Sequence, residues 1–247
     1  MYAWCILWLT LLFFFHSSPL SFLFSFLSCG LLGILIERSA YRPLRKSERL
    51  IPLISAIGVS IFLQNLVMLI ASPESKPYPF IFPYFKILET KINSLQIFII
   101  VLTIILMITL NLFIAKTKLG MAMRAVSQDR ITSSLMGVNV NFIISLAFFI
   151  GGGLGGIAGF LNGLYYGSIK YNMGFIPGIK AFTAAVLGGI GNIKGAILGG
   201  YVLGILEAFC AGYISSENKD ILAFVVLILV LIFKPTGLMG ERTPEKL

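Results

Sequence analysis

The sequence predicts an all-α, polytopic integral membrane protein with about eight transmembrane or membrane-embedded helices. Of its 247 residues, 57% are hydrophobic and only 12% are charged, whereas a soluble domain carries about 25% charged residues. Uncharged runs of roughly 20 residues recur, and each can cross about 30 Å of hydrocarbon at 1.5 Å per residue. Backbone groups within hydrocarbon must be satisfied inside the segment, so we expect these runs to be helices.

The predicted segments follow one another without a tandem repeat or a low-complexity linker, which indicates a single transmembrane domain over 1–247. Two longer connections interrupt them, a loop rich in Pro and aromatic residues at about 72–94 and a polar loop at about 116–141. The eight segments are predicted at about 1–16, 20–36, 51–71, 95–115, 142–166, 179–191, 196–213 and 220–233.

The formal charge of +9 is interpreted as a determinant of orientation and not as a nucleic-acid surface. If the spans alternate, most of the nineteen Lys and Arg residues fall on one side of the membrane, in the loops at 37–50 and 116–141, the C-terminal tail and at Lys194. Positive charge marks the cytoplasmic side. Both termini are therefore predicted to be cytoplasmic, and 72–94 to be external.

Glycine recurs every four residues in the fifth predicted segment, at Gly151, Gly155, Gly159, Gly163 and Gly167. Small residues at this spacing allow two helix backbones to approach closely in a membrane. The pattern indicates tight helix packing, or a packed interface that slides between two states during transport. Similar spacing follows at Gly191, Gly195 and Gly199, and at Gly200, Gly204, Ala208 and Gly212.

The sixth predicted segment is short for a full crossing, with Pro177 and Gly178 at its start and Gly188, Gly189 and Gly191 at its end. Short segments bounded by Gly and Pro often line transport paths, because interrupted helices expose backbone groups to a solute. A steep connector between packed helices is the alternative interpretation.

The loop at 116–141 is too polar to cross a membrane, but its apolar residues follow helical spacing. Asp129 is predicted to cap a second short helix and Gly137 to end it. Two short amphipathic helices could bind a groove on a partner protein. They could instead lie on the lipid headgroups.

Enzyme chemistry is not predicted, and no catalytic residue, metal site or cofactor is assigned. The sequence has no G-x-x-x-x-G-K-[ST] phosphate loop, and its single histidine, His16, has no partner arrangement. Glu207 is the one acid well inside a predicted span, while Asp220 lies at a membrane boundary. A buried acid suggests function, but one acid without a paired base argues against a proton pump.

Four stretches carry a family resemblance, at 37–65, 120–139, 180–207 and 233–240. They read ERSAYRPLRKSERLIPLISAIGVSIFLQN, GMAMRAVSQDRITSSLMGVN, KAFTAAVLGGIGNIKGAILGGYVLGILE and FKPTGLMG. In this order they closely resemble permease subunits of branched-chain amino acid ABC importers, and among these the LivH type. The resemblance covers most of residues 20–240 and implies a LivH/LivM-like ABC permease fold.

The resemblance implies a multi-pass protein of the bacterial cytoplasmic membrane, in contact with lipid. Its partners would be a second homologous permease, two cytoplasmic ATPase subunits that hydrolyse ATP, and a periplasmic or extracellular solute-binding protein. Arg124, Ala125, Asp129 and Gly137 match recurrent positions of the loop that family members insert into the ATPase. The translocation path would lie near the sixth segment and Glu207.

The implied cargo is a branched-chain or similar hydrophobic amino acid, although the same scaffold serves urea and short amides. Two other classes stay open. A secondary transporter should carry several intramembrane acids. The second open class is a non-transporting remnant, since similar proteins begin with a further span and this chain begins after that point. That departure indicates either a start codon placed too late or the loss of a first helix.

Overall fold

The computed structural model describes residues 20–45, 50–77, 84–87, 90–189, 191–213, 215, 219–234 and 236–240. The first predicted helix, 1–16, lies outside the described residues. Helices dominate the described part of the chain. The first, α1 (Leu20–Ile36), continues directly as a π-helix over Glu37–Tyr41. The others are α2 (Leu50–Ala71), α3 (Ser94–Lys116), α4 (Lys118–Gln128), α5 (Arg130–Leu135), α6 (Val140–Tyr166), α7 (Phe175–Gly188), α8 (Ile193–Tyr213) and α9 (Lys219–Phe233).

Four helical stretches among the described residues are long and apolar enough to cross a membrane, at Ser21–Tyr41, Ser94–Lys116, Val140–Tyr166 and Ile193–Tyr213. Three shorter apolar helices accompany them, at Ile54–Ile70, Phe175–Gly188 and Asp220–Phe233. The predicted membrane-helix class is therefore confirmed, whereas the count of about eight stays a prediction. The helix predicted at 179–191 begins earlier, at Phe175, because proline is tolerated in a first helical turn and Pro177 falls there.

Two small antiparallel ladders accompany the helices, although the sequence predicted an all-α protein. Strand β1 (Lys76–Pro77) pairs with β4 (Ser168–Ile169), and β2 (Tyr84–Ile87) pairs with β3 (Thr90–Asn93). The second pair lies in the segment predicted as a loop at 72–94. Its aromatic and β-branched residues favour strands, and the hydropathy pattern of the spans did not reveal them.

The chain packs as two compact units, Met1–Gly174 and Phe175–Leu247. In the first unit, α1 lies along α6, and α6 also contacts the π-helix and α4. A small apolar core joins Leu63 and Val67 of α2 to Ile169 of β4. The single permease domain over 1–247 stays a prediction.

Within the first unit, the two long connections leave opposite ends of α3. The β2–β3 ladder leads directly into its N-terminus, where Asn93 accepts a hydrogen bond from the Leu95 amide at 3.1 Å. Helix α4 follows its C-terminus after the single residue Thr117. The 23 residues of α3 rise about 35 Å along the helix axis. The end of segment 72–94 and the start of segment 116–141 are therefore about a membrane thickness apart.

In the second unit, α7, α8 and α9 pack against one another. The turn between α7 and α8 contains Gly189 and Gly191 with φ of 108° and 95°. Residues with side chains rarely adopt this conformation. The two glycines therefore allow α8 to fold back directly onto α7.

Candidate functional site

In the first unit, the backbones of α1 and α6 approach each other closely. A β carbon at Gly152 would overlap the carbonyl oxygen of Cys29, and one at Gly33 would overlap that of Phe148. Gly156 lies equally close to Ser25, whose hydroxyl donates a hydrogen bond to the Gly156 carbonyl oxygen at 3.1 Å. Small residues thus bring the two backbones together, as membrane helices require in the absence of a hydrophobic driving force.

The glycines predicted at four-residue spacing along α6 differ in burial and in what surrounds them. Gly159 and Gly163 are buried and Gly155 is half-buried, but Gly151 is exposed, and a β carbon there would meet no atom within 4 Å. Gly167 ends the helix in a left-handed conformation, with φ of 61°. The contact with α1 therefore uses the register of Gly152 and Gly156, one residue later than Gly151 and Gly155.

A buried charged network connects the π-helix to the first turns of α6. The side chain of Glu37 is fully buried, and Arg45 donates from Nη2 to its Oε1. Ser145 Oγ donates to Glu37 Oε2 at 2.7 Å, and Arg45 Nη1 donates to Asn141 Oδ1 at 2.6 Å. Asn141 and Ser145 share one face of α6 because they lie four residues apart. The sequence interpretation treated Arg45 as an orienting charge only.

The predicted coupling segment forms two short helices, α4 and α5, with the expected caps. Thr117 accepts a hydrogen bond from the Gly120 amide at 3.0 Å and begins α4. Asp129 begins α5 by accepting from the amides of Ile131 and Thr132 at 2.9 and 3.3 Å. Gly137, with φ of 82°, closes the segment. The predicted cap and the predicted helix end are both confirmed.

One face of this α4–α5 hairpin is anchored to the membrane helices. Val126 and Ser133 are buried, and a β carbon at Gly120 would overlap the backbone of Ile114 at the end of α3. Arg124 is exposed and reaches back to donate to the Ala115 carbonyl oxygen at 3.3 Å. Ala125 is exposed beside it.

The opposite face of the hairpin exposes large apolar side chains. Ile131 is 74% exposed, and Leu135 and Met136 are each 81% exposed. Arg124 and Arg130 are also exposed and add positive charge to the hairpin. Several large apolar side chains exposed on a polar connecting segment indicate a protein or membrane contact. The hairpin thus combines a fixed inner face with a free outer one.

In the second unit, α7 and α8 approach each other through small residues. A β carbon at Gly188 would overlap the carbonyl oxygen of Gly195, and one at Gly199 would overlap that of Ala184. The three glycines predicted at four-residue spacing, Gly191, Gly195 and Gly199, therefore have two different structural roles. Gly195 and Gly199 lie at the helix contact, whereas Gly191 serves the turn through its positive φ.

The C-terminal segment hydrogen-bonds to the end of α7. The amides of Leu238 and Met239 donate to the carbonyl oxygens of Leu187 and Gly188 at 2.8 and 3.0 Å. Asn192 Nδ2 donates to the Met239 carbonyl oxygen at 3.0 Å. Two of the motifs that carry the family resemblance, 180–207 and 233–240, thus meet at one turn.

A charged cluster that the sequence analysis missed joins the three helices of the second unit. Lys180 Nζ of α7 lies 2.9 Å from Glu207 Oε1 of α8 and 2.6 Å from Asp220 Oδ1 of α9. Glu207 was predicted to have no basic partner, and this prediction is wrong. Lys180 was not recognised because its two partners lie 27 and 40 positions further along the sequence.

Apolar helices in close backbone contact, with paired charges between helices and a capped polar hairpin at one helix end, define a polytopic helical membrane protein. The chain belongs to the family described as branched-chain amino acid transport system, permease component, whose sequence profile matches residues 1–231. The resemblance inferred from the four motifs is therefore confirmed.

Several permeases are similar over most of this length. The high-affinity branched-chain amino acid transport system permease protein BraD of Pseudomonas aeruginosa is 51% identical over 220 residues, covering 87% of this chain and 72% of that protein. The permease protein LivH of the corresponding Escherichia coli K12 system is 46% identical over 220 residues, covering 87% and 71%. The autoinducer 2 import system permease protein LsrC of Salmonella paratyphi B is 30% identical over 138 residues, covering 53% and 40%. No solved structure matches the chain.

Proposed function

We propose that this chain is the transmembrane permease subunit of an ATP-binding-cassette importer that carries branched-chain or similar hydrophobic amino acids into the cytoplasm. The observation that carries the proposal is the 46–51% identity, over 87% of the chain, to permeases named for high-affinity branched-chain amino acid transport. ATP hydrolysis belongs to separate partner subunits. The chain itself supplies a path through the membrane and a surface on which the ATPase acts.

The α4–α5 hairpin is the proposed ATPase contact, with Arg124, Ala125, Asp129 and Gly137 as its predicted positions. Its outer face offers apolar side chains that would be buried in a groove, which is the usual way in which a helix binds a partner. Its inner face packs on α3 and α6. A displacement of the hairpin by the ATPase would therefore be passed to membrane helices.

The proposed topology places the hairpin in the cytoplasm and the β2–β3 ladder outside. The β1–β4 ladder supports this arrangement, because it joins the C-terminal end of α2 to the C-terminal end of α6, as two spans running in the same direction require. A solute-binding protein would then meet the external ends. A second homologous permease would complete the path, and both termini would be cytoplasmic.

The test is uptake of radiolabelled L-leucine into proteoliposomes that contain the chain, its partner permease and its ATPase subunits, with the leucine-loaded binding protein outside. We expect uptake that requires ATP inside and persists when the ion gradient is collapsed. Uptake that needs the ion gradient and not ATP would identify a secondary transporter. Transport of urea or a short amide in place of leucine would overturn the proposed substrate class.

A further inference from the structure

The cluster of Lys180, Glu207 and Asp220 carries an inference about the transported solute. One ammonium group lies between two carboxylates, at 2.9 and 2.6 Å, and each charge comes from a different helix. The helices around them are apolar, and charges among membrane helices are costly unless they are paired. Among the side chains that the structure describes, two negative charges share one positive charge, so the cluster keeps a negative excess that a further cation would offset.

The three side chains are not sealed inside the unit. Lys180 and Glu207 are each 20% exposed, and Asp220 is 38% exposed. Enclosing an ion pair completely strengthens the attraction between its charges, but it also removes their hydration, and this cost can exceed the gain. Lys180 and Asp220 are thus partly open to a polar solute, whereas the Glu207 Oε1 atom that faces Lys180 is buried without a hydrogen bond of good geometry.

The three residues lie at the same end of their helices. Lys180 follows the start of α7 by five residues, Glu207 precedes the end of α8 by six, and Asp220 is in the first turn of α9. The Gly189–Gly191 turn is at the opposite end. On the proposed topology, the cluster therefore lies towards the external side, where a solute would enter the path.

We propose that Lys180, Glu207 and Asp220 bind the zwitterionic main-chain groups of the transported amino acid, an inference that rests on the proposed function. The α-carboxylate of the solute accepts hydrogen bonds from Lys180 Nζ. Its α-ammonium donates to the Glu207 and Asp220 carboxylates. Each ion pair that opens within the cluster is replaced by one to the solute, and the ammonium offsets the negative excess.

This arrangement recognises the part that all amino acids share and leaves the aliphatic side chain outside the charged cluster. Charge-assisted hydrogen bonds to fixed partners give both orientation and binding energy. The cluster would therefore select zwitterions over hydrocarbons, carboxylates or amines of the same shape. Discrimination among aliphatic side chains would come from other contacts.

The direct test is saturation-transfer NMR of L-leucine on the purified importer in phosphatidylglycerol–phosphatidylcholine nanodiscs, without binding protein. We expect transfer to leucine in the wild type and affinity reduced about tenfold or more in Glu207→Gln, Asp220→Asn and Lys180→Met, since each removes a charged hydrogen-bond partner. The matched controls Glu74→Gln and Lys194→Met change exposed residues outside the cluster and should bind leucine as the wild type does.

Two analogues identify the groups that are recognised. 4-Methylpentanoate lacks the ammonium and 3-methylbutylamine lacks the carboxylate, so both should compete about tenfold or more less well than L-leucine. Equal competition by either analogue would overturn the zwitterion assignment. An absence of leucine transfer in the wild type would overturn it as well.

Assembly and uptake separate this inference from the proposed function. Asp220→Asn is the mildest variant, because Asp220 is the most exposed of the three residues and lies at a helix end. If this variant assembles, binds and imports leucine normally, the proposed binding site is refuted, whereas the proposed importer function is not. If all three variants fail to assemble with the ATPases, the cluster is only a structural clamp. If the wild type imports no leucine with all its partners present, the proposed function itself fails.

Discussion

Replacing Arg45 with methionine would leave the fully buried Glu37 carboxylate with Ser145 as its remaining side-chain donor among the residues that the structure describes. Removing one partner of a buried ion pair costs about 3–5 kcal/mol, because the other charge stays buried without compensation. Arg45 is itself 18% exposed, so water can partly replace it, and we expect the lower end of that range, about 3 kcal/mol. This is a large share of a typical folding free energy of about 5–15 kcal/mol.

The assay is SDS titration of the purified chain in detergent micelles, followed by far-ultraviolet circular dichroism. Arg42→Met makes the same chemical change at an exposed neighbouring position and should alter the free energy of unfolding by less than about 0.5 kcal/mol. Combining Arg45→Met with Glu37→Gln removes the uncompensated charge, so the double variant should be more stable than Arg45→Met alone. Equal midpoints for Arg45→Met and Arg42→Met would refute the role of the buried pair.

Three further predictions concern packing, coupling and topology. Gly152→Leu should prevent α1 and α6 from packing and abolish uptake. The control Gly151→Leu should be tolerated, because a β carbon at that position meets no atom within 4 Å. If the two variants assemble and import leucine equally well, the α1–α6 contact is dispensable. Gly137→Val must hold a β-branched residue at φ of 82°, at a cost of about 1–2 kcal/mol, and should reach the membrane yet lose co-purification with the ATPases; retained ATPases and normal uptake would contradict the coupling role. In intact cells, an impermeant maleimide should label Ser75→Cys and not Ser127→Cys, and labelling of both would refute the proposed topology.

Local chemistry explains which parts of the hairpin could be predicted. Asp129 caps α5 with hydrogen bonds to residues two and three positions away, and Gly137 takes a conformation that suits glycine. Both features depend on neighbours in sequence. A single chain therefore carries enough information to predict the two short helices and their boundaries.

Long-range contacts explain the parts that could not be predicted. Ser145 lies 108 positions from Glu37, and no local pattern distinguishes Glu37 or Arg45 from the other charges of a basic loop. The close contact of α6 with α1 uses Gly152 and Gly156, one residue away from the predicted glycine register, because the phase of the contact depends on where α1 lies. Gly152 and Gly151 look equivalent in sequence, and only the partner backbone separates them.

The α1–α6 contact and the Glu37 network together constrain how force from an ATPase could act on the first unit. Backbone approach at Gly152 and Gly156 leaves no room for α1 to move relative to α6 without losing close contacts, since packed helix surfaces are not continuously deformable. The hydrogen bonds of Glu37 connect the π-helix to the first turns of α6, and α6 also contacts α4. If the ATPase binds the outer face of the hairpin, the hairpin, α6 and α1 should therefore move as one body. Arg45→Met should weaken the contacts that hold these helices together. It should therefore lower the amount of leucine imported per ATP hydrolysed, even where the ATPases remain bound.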